Sequence, residues 1–208
     1  MLENLAEVSK TSGSHTKRAA GPQKPKRINQ MQIKKTCLQV TMALGLMLGA
    51  GAAQAEQQFS AFLTGYSYWD NTPRGSTAIA RPVLHRGAGG TGTYADPVTL
   101  AVGHVKRGSR SIMDFPAGTR FYFPRLRKYA IVEDLCGDGN APQNGPCHSG
   151  YKGYVWLDIY VDGRRAGNAA ANQCMRRLTG IQRAIINPKR NYPVEKGAIT
   201  ETGCRVFR

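Results

Sequence analysis

The sequence predicts an all-β barrel or sandwich with one short helix. Two observations carry that prediction. Short runs rich in β-branched and aromatic residues recur along the chain, each closed by a Gly, Pro, Asn or Asp turn signal, and only one stretch has the composition and spacing of a helix. No internal repeat at a fixed period is found. A third observation bears on the setting: four cysteines, Cys136, Cys147, Cys174 and Cys204, follow a stretch that reads as an export signal.

The strands come in order. Phe62–Trp69 (FLTGYSYW) ends in the turn Asp70-Asn71-Thr72-Pro73, and Pro97–Val105 alternates weakly. Gly-rich Gly87–Thr93 lacks the preceding apolar strand and following helix of a phosphate loop, and reads as a flexible loop. Arg120–Pro124 follows the turn Pro116-Ala117-Gly118. Lys128–Asp134 and Tyr154–Val161 are the clearest strands, the second closed by Asp162-Gly163. Asn168 is placed to cap a helix over Ala169–Leu178 that Gly180 stops. Ile181–Pro188 and Cys204–Phe207 are then expected as closing strands.

Residues 1–30 are polar and basic without apolar periodicity; they read as a disordered extension, or as untranslated if synthesis begins at Met31, and receive no role. Residues 31–55 read as a signal peptide. Lys34 and Lys35 form its positive start, Met42–Ala53 its apolar stretch and Ala53-Gln54-Ala55 its small-residue cleavage site. An uncleaved membrane anchor is the rival reading of that apolar run. Cleavage after Ala55 discards Cys37 and leaves residues 56–208 as a single domain, secreted or periplasmic, with an even four cysteines. That segment holds 21 Lys+Arg against 11 Asp+Glu, a balance of +10. In an exported protein such charge favours cell-wall polysaccharide or another anionic envelope polymer as partner. Aromatics interleaved with Lys and Arg in the manner of a base-stacking surface are absent from the sequence, so nucleic acid is not expected. Nor are stable membrane insertion after cleavage or an obligate oligomer.

The strand Tyr154–Val161 carries the most chemistry. Alternation puts Val155, Leu157, Ile159 and Val161 on a core face and Trp156, Asp158 and Tyr160 on the other. Aromatics beside a carboxylate suit a sugar site, since they stack on pyranose faces and desolvate the acid toward general-acid range. A solvent-facing Asp covered by aromatics fits the same spacing. In Lys128–Asp134, Ala130, Val132 and Asp134 share one face, Tyr129, Ile131 and Glu133 the other; Asp134 at the strand end is expected to bind turn amides. Other groups have blander readings. His148 beside Cys147 reads as a loop histidine rather than a metal ligand, and His85 and His104 as surface or turn histidines. Asp134, Asp138 and Asn140 lack the downstream acid of a calcium loop. Asp96 before Pro97 is a turn signal. No cofactor and no metal are expected.

The stretch MDFPAGTRFYFPRLRKYAIVEDLCGDG, followed by GYKGYVWLDIYVDG, resembles the three-aspartate (3D) domain, and LTGYSYWD resembles that family's opening strand. The matching aspartates are Asp114, Asp134 and Asp158, with Lys152-Gly153 as the family's Lys-Gly pair. The resemblance covers roughly Phe62–Gly163. It implies a six-stranded double-psi β-barrel, as in lytic transglycosylases, rare lipoprotein A and the expansins. It also implies that Asp158 is a catalytic acid. This chain has Asp134-Leu135-Cys136-Gly137 where the family has Asp-Thr-Gly-Gly, and an insertion with Cys136, Cys147 and His148 follows. The segments Gly89–Gly103 and Asn172–Gly180 look closer to small secreted barrels that act without hydrolysis, expansin-like or papain-inhibitor-like.

Two functions are therefore expected. The first is action on cell-wall glycan, cutting or loosening it, with Asp158 as acid, Asp134 in support, and Trp156, Tyr160, Tyr66 and Asp114 binding the sugar. The second is non-enzymatic inhibition of a secreted protease through the loop Asn140–Pro146, stapled by Cys136–Cys147. The remaining pair, Cys174–Cys204, is expected to tie the helix to the C-terminal segment, worth about 3–4 kcal/mol by chain entropy.

Overall fold

The structure is a computed structural model that describes residues 55–208; the extension and signal peptide expected over residues 1–55 lie almost wholly outside the described residues. Six strands close into a barrel: β1 (Gln57–Tyr66), β2 (Val98–Val102), β5 (Arg120–Phe123), β6 (Lys128–Leu135), β7 (Val155–Tyr160) and β8 (Gly180–Ile186). A hairpin of β3 (His104–Arg107) and β4 (Arg110–Met113) stands apart from it. Among the described residues there are two α-helices, α1 (Pro146–Ser149) and α2 (Asn168–Leu178).

The strand order around the barrel is β1-β7-β2-β6-β5-β8. The pairs β1/β7 and β2/β6 are parallel and the other four neighbours antiparallel. Exchanging the first three barrel strands with the last three maps this ring onto itself. In one half β1 and β2 flank β7; in the other β6 and β7 flank β2. That is the double-psi arrangement, and closing it removes every sheet edge from the barrel.

The core follows strand alternation except at Val155, expected on the core face of β7 but 39% exposed where that strand begins. Leu63, Leu100, Val102, Phe121, Phe123, Ala130, Val132, Leu157 and Ile159 are buried and pack inside one apolar cluster. Helix α2 docks on β1 through Ala171, Cys174 and Leu178. Its N-cap is Gly167 rather than a side-chain cap: Asn168 is the first helical residue, and its Oδ1 accepts from Asn172 Nδ2 at 2.9 Å. The expected disulfides form, Cys136–Cys147 and Cys174–Cys204, with Cα atoms 5.7 and 5.5 Å apart.

Several elements differ from expectation. The opening strand ends at Tyr66, because Ser67–Asp70 turns back on itself: Asp70 Oδ1 accepts from Ser67 N at 2.7 Å and Ser67 Oγ at 2.6 Å. The expected strand over Pro97–Val105 breaks at Gly103. A Cβ there would lie 2.3 Å from Cys147 O and 2.4 Å from Asp114 Oδ2, so a side chain cannot fit. Cys204–Phe207 is not a strand; β8 already closes the ring against β1, leaving no edge to join. The Gly87–Thr93 loop is held by backbone bonds to Thr77, Asp96 and Thr99.

Candidate functional site

One register row builds the site. Thr64 on β1 pairs with Asp158 on β7, Asp158 with Ala101 on β2, and Ala101 with Asp134 on β6. The β2/β6 register runs 98–130, 99–131, 100–132 and then shifts, so that Ala101 meets Asp134 and not Glu133. A bulge of this kind re-aims side chains. Here it brings Asp134 into line with Asp158, two strands away and about 10 Å at Cα by ordinary strand spacing. Ala101 between them is too small to fill the gap.

Above that row opens a groove of about 460 Å³. Its lining includes Tyr66, Asp70, Ala101, His104, Lys106, the Cys136 half of a disulfide, and four carboxylates in all: Asp70, Asp134, Asp138 and Asp158. Asp158 is partly exposed here. Burial pushes its carboxyl up to about 7; Asp70 and Asp134 act in the same direction, against the hydrogen bond from Thr64. Trp156 Nε1 donates to Thr64 Oγ1 at 2.8 Å, so the Thr64 hydroxyl turns its own proton to Asp158 Oδ1 at 2.6 Å. Oδ1 is thereby an acceptor. Oδ2, 4.0 Å from the Cys136 sulfur, is the atom left to carry a proton.

Asp134 is buried and held from three sides. Oδ1 accepts from Ala80 N at 3.0 Å and Leu135 N at 2.9 Å, and Oδ2 accepts from the Tyr66 hydroxyl at 3.0 Å. Burial raises its carboxyl above the usual range although all three bonds oppose this. Tyr66 is raised well above the ordinary phenol, by its burial first and the Asp134 charge second. Asp134 binds backbone amides, though those of Leu135 within β6 and of distant Ala80 rather than of the turn after the strand, and the same residue also faces the groove.

The other expected site residues fall elsewhere. Tyr160 is 1% exposed, packs edge-on to Tyr66 with ring centres 5.2 Å apart, and does not line the groove. A ring in the core cannot stack on sugar; Ile159 and Tyr160 are both buried, so the two faces of β7 are covered at its end. Trp156 lies beyond Thr64, in an aromatic group with Phe62 and Tyr151, ring centres 4.7 and 6.4 Å away. Asp114 lines an adjoining cavity of about 280 Å³, where its Oδ1 is 2.7 Å from His148 Nδ1. The loop Asn140–Pro146 is not extended: Pro142–Asn144 form a 3-10 turn that leads into α1.

Sequence reasoning passed over three groove residues. Asp70 reads as a turn signal, which it also is. Asp138 lies in the Gly-rich loop after β6. His104 is only 4% exposed and not a surface histidine. It lines the groove, and its Nδ1 is buried with no partner among the described residues. Burial lowers its pKa, keeping the ring neutral. The weak alternation of Pro97–Val105 is the signal in the sequence, since it places His104 in step with Leu100 and Val102, although the strand itself ends at Val102.

His85 is likewise no surface residue. It bridges two carboxylates outside the groove, Nδ1 to Glu133 Oε2 at 2.6 Å and Nε2 to Asp96 Oδ1 at 2.9 Å. Glu133 Oε1 also accepts from Val83, Leu84 and His85 N at 3.1, 2.6 and 2.9 Å. Burial opposes charge on each of the three groups, but the hydrogen bonds win: His85 is raised, and Glu133 and Asp96 are lowered. Among the described residues no group of three or more His, Cys, Asp or Glu is arranged to hold a metal ion, and no helix is long and apolar enough to cross a membrane.

Comparison with known proteins gives a family and no activity. A Dictyostelium discoideum protein described as Uncharacterized protein DDB_G0273701/DDB_G0273221 is 33% identical over 150 residues, 71% of this chain. The chain spans 59% of that protein's length. No solved structure matches significantly. The family profile described as the DDB_G0273701 N-terminal domain matches residues 58–205, which takes in all six barrel strands but the first residue of β1, together with both disulfides and the groove, and the chain therefore belongs to that family.

Proposed function

We propose that this barrel is an exported protein that acts on cell-wall glycan, cutting or loosening it, with Asp158 as the proton donor. One observation carries the reading. An open groove holds a carboxyl pushed up to about 7, within reach of solvent, with its Oδ1 tied to Thr64 and its Oδ2 free. A carboxylic acid still protonated near neutral pH is what general-acid catalysis at a glycosidic oxygen needs. The likeness of Asp158-Ile159-Tyr160 to the catalytic strand of the 3D and lytic transglycosylase group agrees with it, as do two disulfides in the fold.

In the cutting version Oδ2 gives its proton to the glycosidic oxygen as the C1–O bond breaks. The sugar's own 6-hydroxyl then closes on C1 and returns its proton to Asp158. The product is an anhydro sugar, and no water is consumed. Asp134 and Tyr66 keep the groove wall polar and fixed. The groove has no stacking ring in its lining besides the buried Tyr66, so hydroxyl contacts rather than ring stacking position the sugar.

The test is incubation with peptidoglycan sacculi, followed by mass spectrometry of released material. Anhydro products from the native protein, and none from Asp158→Asn, are expected for cutting. Weakened sacculi with no product fit loosening. Nanomolar inhibition of papain or subtilisin with neither effect would replace this reading by the inhibitor, which the helical form of the Asn140–Pro146 loop supports less well.

A further inference from the structure

We infer that the face of the barrel opposite in character to the groove, built on β5, β8 and the segment 188–195, is a binding site for a polycarboxylate glycan, its guanidiniums pairing with uronate carboxylates. The inference rests on the glycan reading above for the partner's class, and on separate residues for the site. Outward positions of β5 and β8 carry Arg120, Tyr122, Arg183 and Ile185, with Tyr122 paired across to Ile185. A second apolar cluster forms there outside the barrel: buried Tyr122, Tyr129 and Ile185, with Tyr94 and Tyr192 packed against them.

This tyrosine cluster is edged by cations. Arg120 and Arg190 both sit over Tyr94, 4.6 and 4.8 Å from the ring centre, and Arg127 sits over Phe207 at 3.9 Å. One end opens into a cavity of about 620 Å³ lined by Tyr94 and Arg120, the other into one of about 290 Å³ lined by Arg127, Arg183 and Arg208. None of these arginines has a carboxylate partner among the described residues. The two carboxylates nearby are already engaged: Glu56 accepts from Lys189 N and the Tyr192 hydroxyl, and Glu195 pairs with Arg205. Several like charges gathered without counter-charges indicate an anionic ligand.

The rings decide which polyanion. Single-stranded nucleic acid needs free aromatic faces for its bases. Here Tyr94 and Phe207 already carry guanidiniums, and Tyr122 stacks on Tyr192 with ring centres 4.5 Å apart and planes 13° from parallel. Arg120 Nη1 already donates to the Tyr94 carbonyl at 2.7 Å; what remains presented is its other N–H groups and the forks of Arg127, Arg183 and Arg190, which match a carboxylate in a bidentate pair. Rings that support the guanidiniums also limit their motion, so little freedom is lost on pairing.

The experiment measures binding of polygalacturonate at low and physiological salt. Its full methyl ester serves as the uncharged control polymer, and single-stranded DNA as the rival. The native protein is expected to bind the polyuronate, and the ester at least about tenfold more weakly. Arg120→Gln with Arg190→Gln, and separately Arg127→Gln with Arg183→Gln, should each weaken binding about tenfold, the loss of one or two charge-assisted bonds. The paired Lys variants at these positions keep the charge but lose the fork, and should fall between. Arg107→Gln with Arg110→Gln, an equal charge loss on the exposed β3–β4 hairpin, should change it less than about twofold at physiological salt. Equal losses in the hairpin variant, equal binding of the ester, Lys variants that bind like the native protein, or tighter binding of DNA would each overturn the site. Asp158→Asn should bind the polyuronate unchanged. If it does, and no glycan is cut or loosened by the native protein, the groove's proposed function fails while this site stands.

Discussion

Glu133 and Asp134 are neighbours on one strand, both buried, and their carboxyls move in opposite directions. Alternation sends them to opposite faces of β6. Glu133 meets three backbone N–H groups and an imidazole; Asp134 meets two N–H groups, a phenol and three further carboxylates in its groove. Burial is common to both, so it does not decide the outcome. The donors do. A carboxylate surrounded by donors is structural, and one short of donors and near other acids is available for proton chemistry.

The largest test of that contrast is Glu133→Ala. It leaves three amides and His85 without their acceptor, and should cost about 3–5 kcal/mol of stability, read by urea unfolding. Asp134→Asn keeps an acceptor for Ala80 and Leu135, and should cost only about 1 kcal/mol. Comparable losses in the two variants would break the comparison.

Asp158→Asn should move stability the other way. A carboxyl raised from its unfolded value to about 7 binds more protons when folded, so stability falls as pH rises between the two values. Above pH 7 the ionised groove acid is a burden that Asn removes. The variant is expected to gain on the order of 1 kcal/mol or more at pH 8 and nothing at pH 4, as measured by thermal unfolding. A loss at pH 8 would show that ionised Asp158 is well solvated.

The cluster of Glu133, His85 and Asp96 gives a third test, with its sign fixed by three shifts. His85 is raised, so its contribution is full below its unfolded value of 6.5 and is lost as pH rises through the folded one. Glu133 and Asp96 are lowered, so theirs is full above 4.5 and 3.8 and is lost as pH falls. The cluster stabilises most between pH 4.5 and 6.5. His85→Gln should lower the melting temperature most in that window, and a uniform loss at all pH values would refute the ion pairing.

The smallest effect is at Thr64. Thr64→Val removes the one bond that favours ionised Asp158, and should raise its titration midpoint above 7 in a carboxyl NMR experiment; Thr64→Ser should restore it. A midpoint that stays put would mean that Trp156 and Thr64 do not set the proton's place on Oδ2.

Much of this was legible in the chain. Period-two alternation in Tyr154–Val161 and Lys128–Asp134 and the turn signals at their ends mark the strands and most core positions, because each depends on residues close in sequence; the four cysteines left three connectivities, among which only the fold chose. Alternation also put Asp158 and Trp156 on one side of β7, where they are. It failed at Tyr160, since the end of β7 is covered on both faces and Tyr160 packs on buried Tyr66. The bulge of β6 against β2, which chooses Asp134 over Glu133 for the groove, has no mark in the sequence, because register is a property of two strands. The same holds for His85 between Glu133 and Asp96, for unpartnered His104, and for arginines seated on Tyr94 and Phe207. Local sequence determined which segments are strands and which faces are apolar. Only closure of the ring decided which polar groups share a cavity and which donors each carboxylate finds, since those distances join residues as far apart as Thr64 and Asp158.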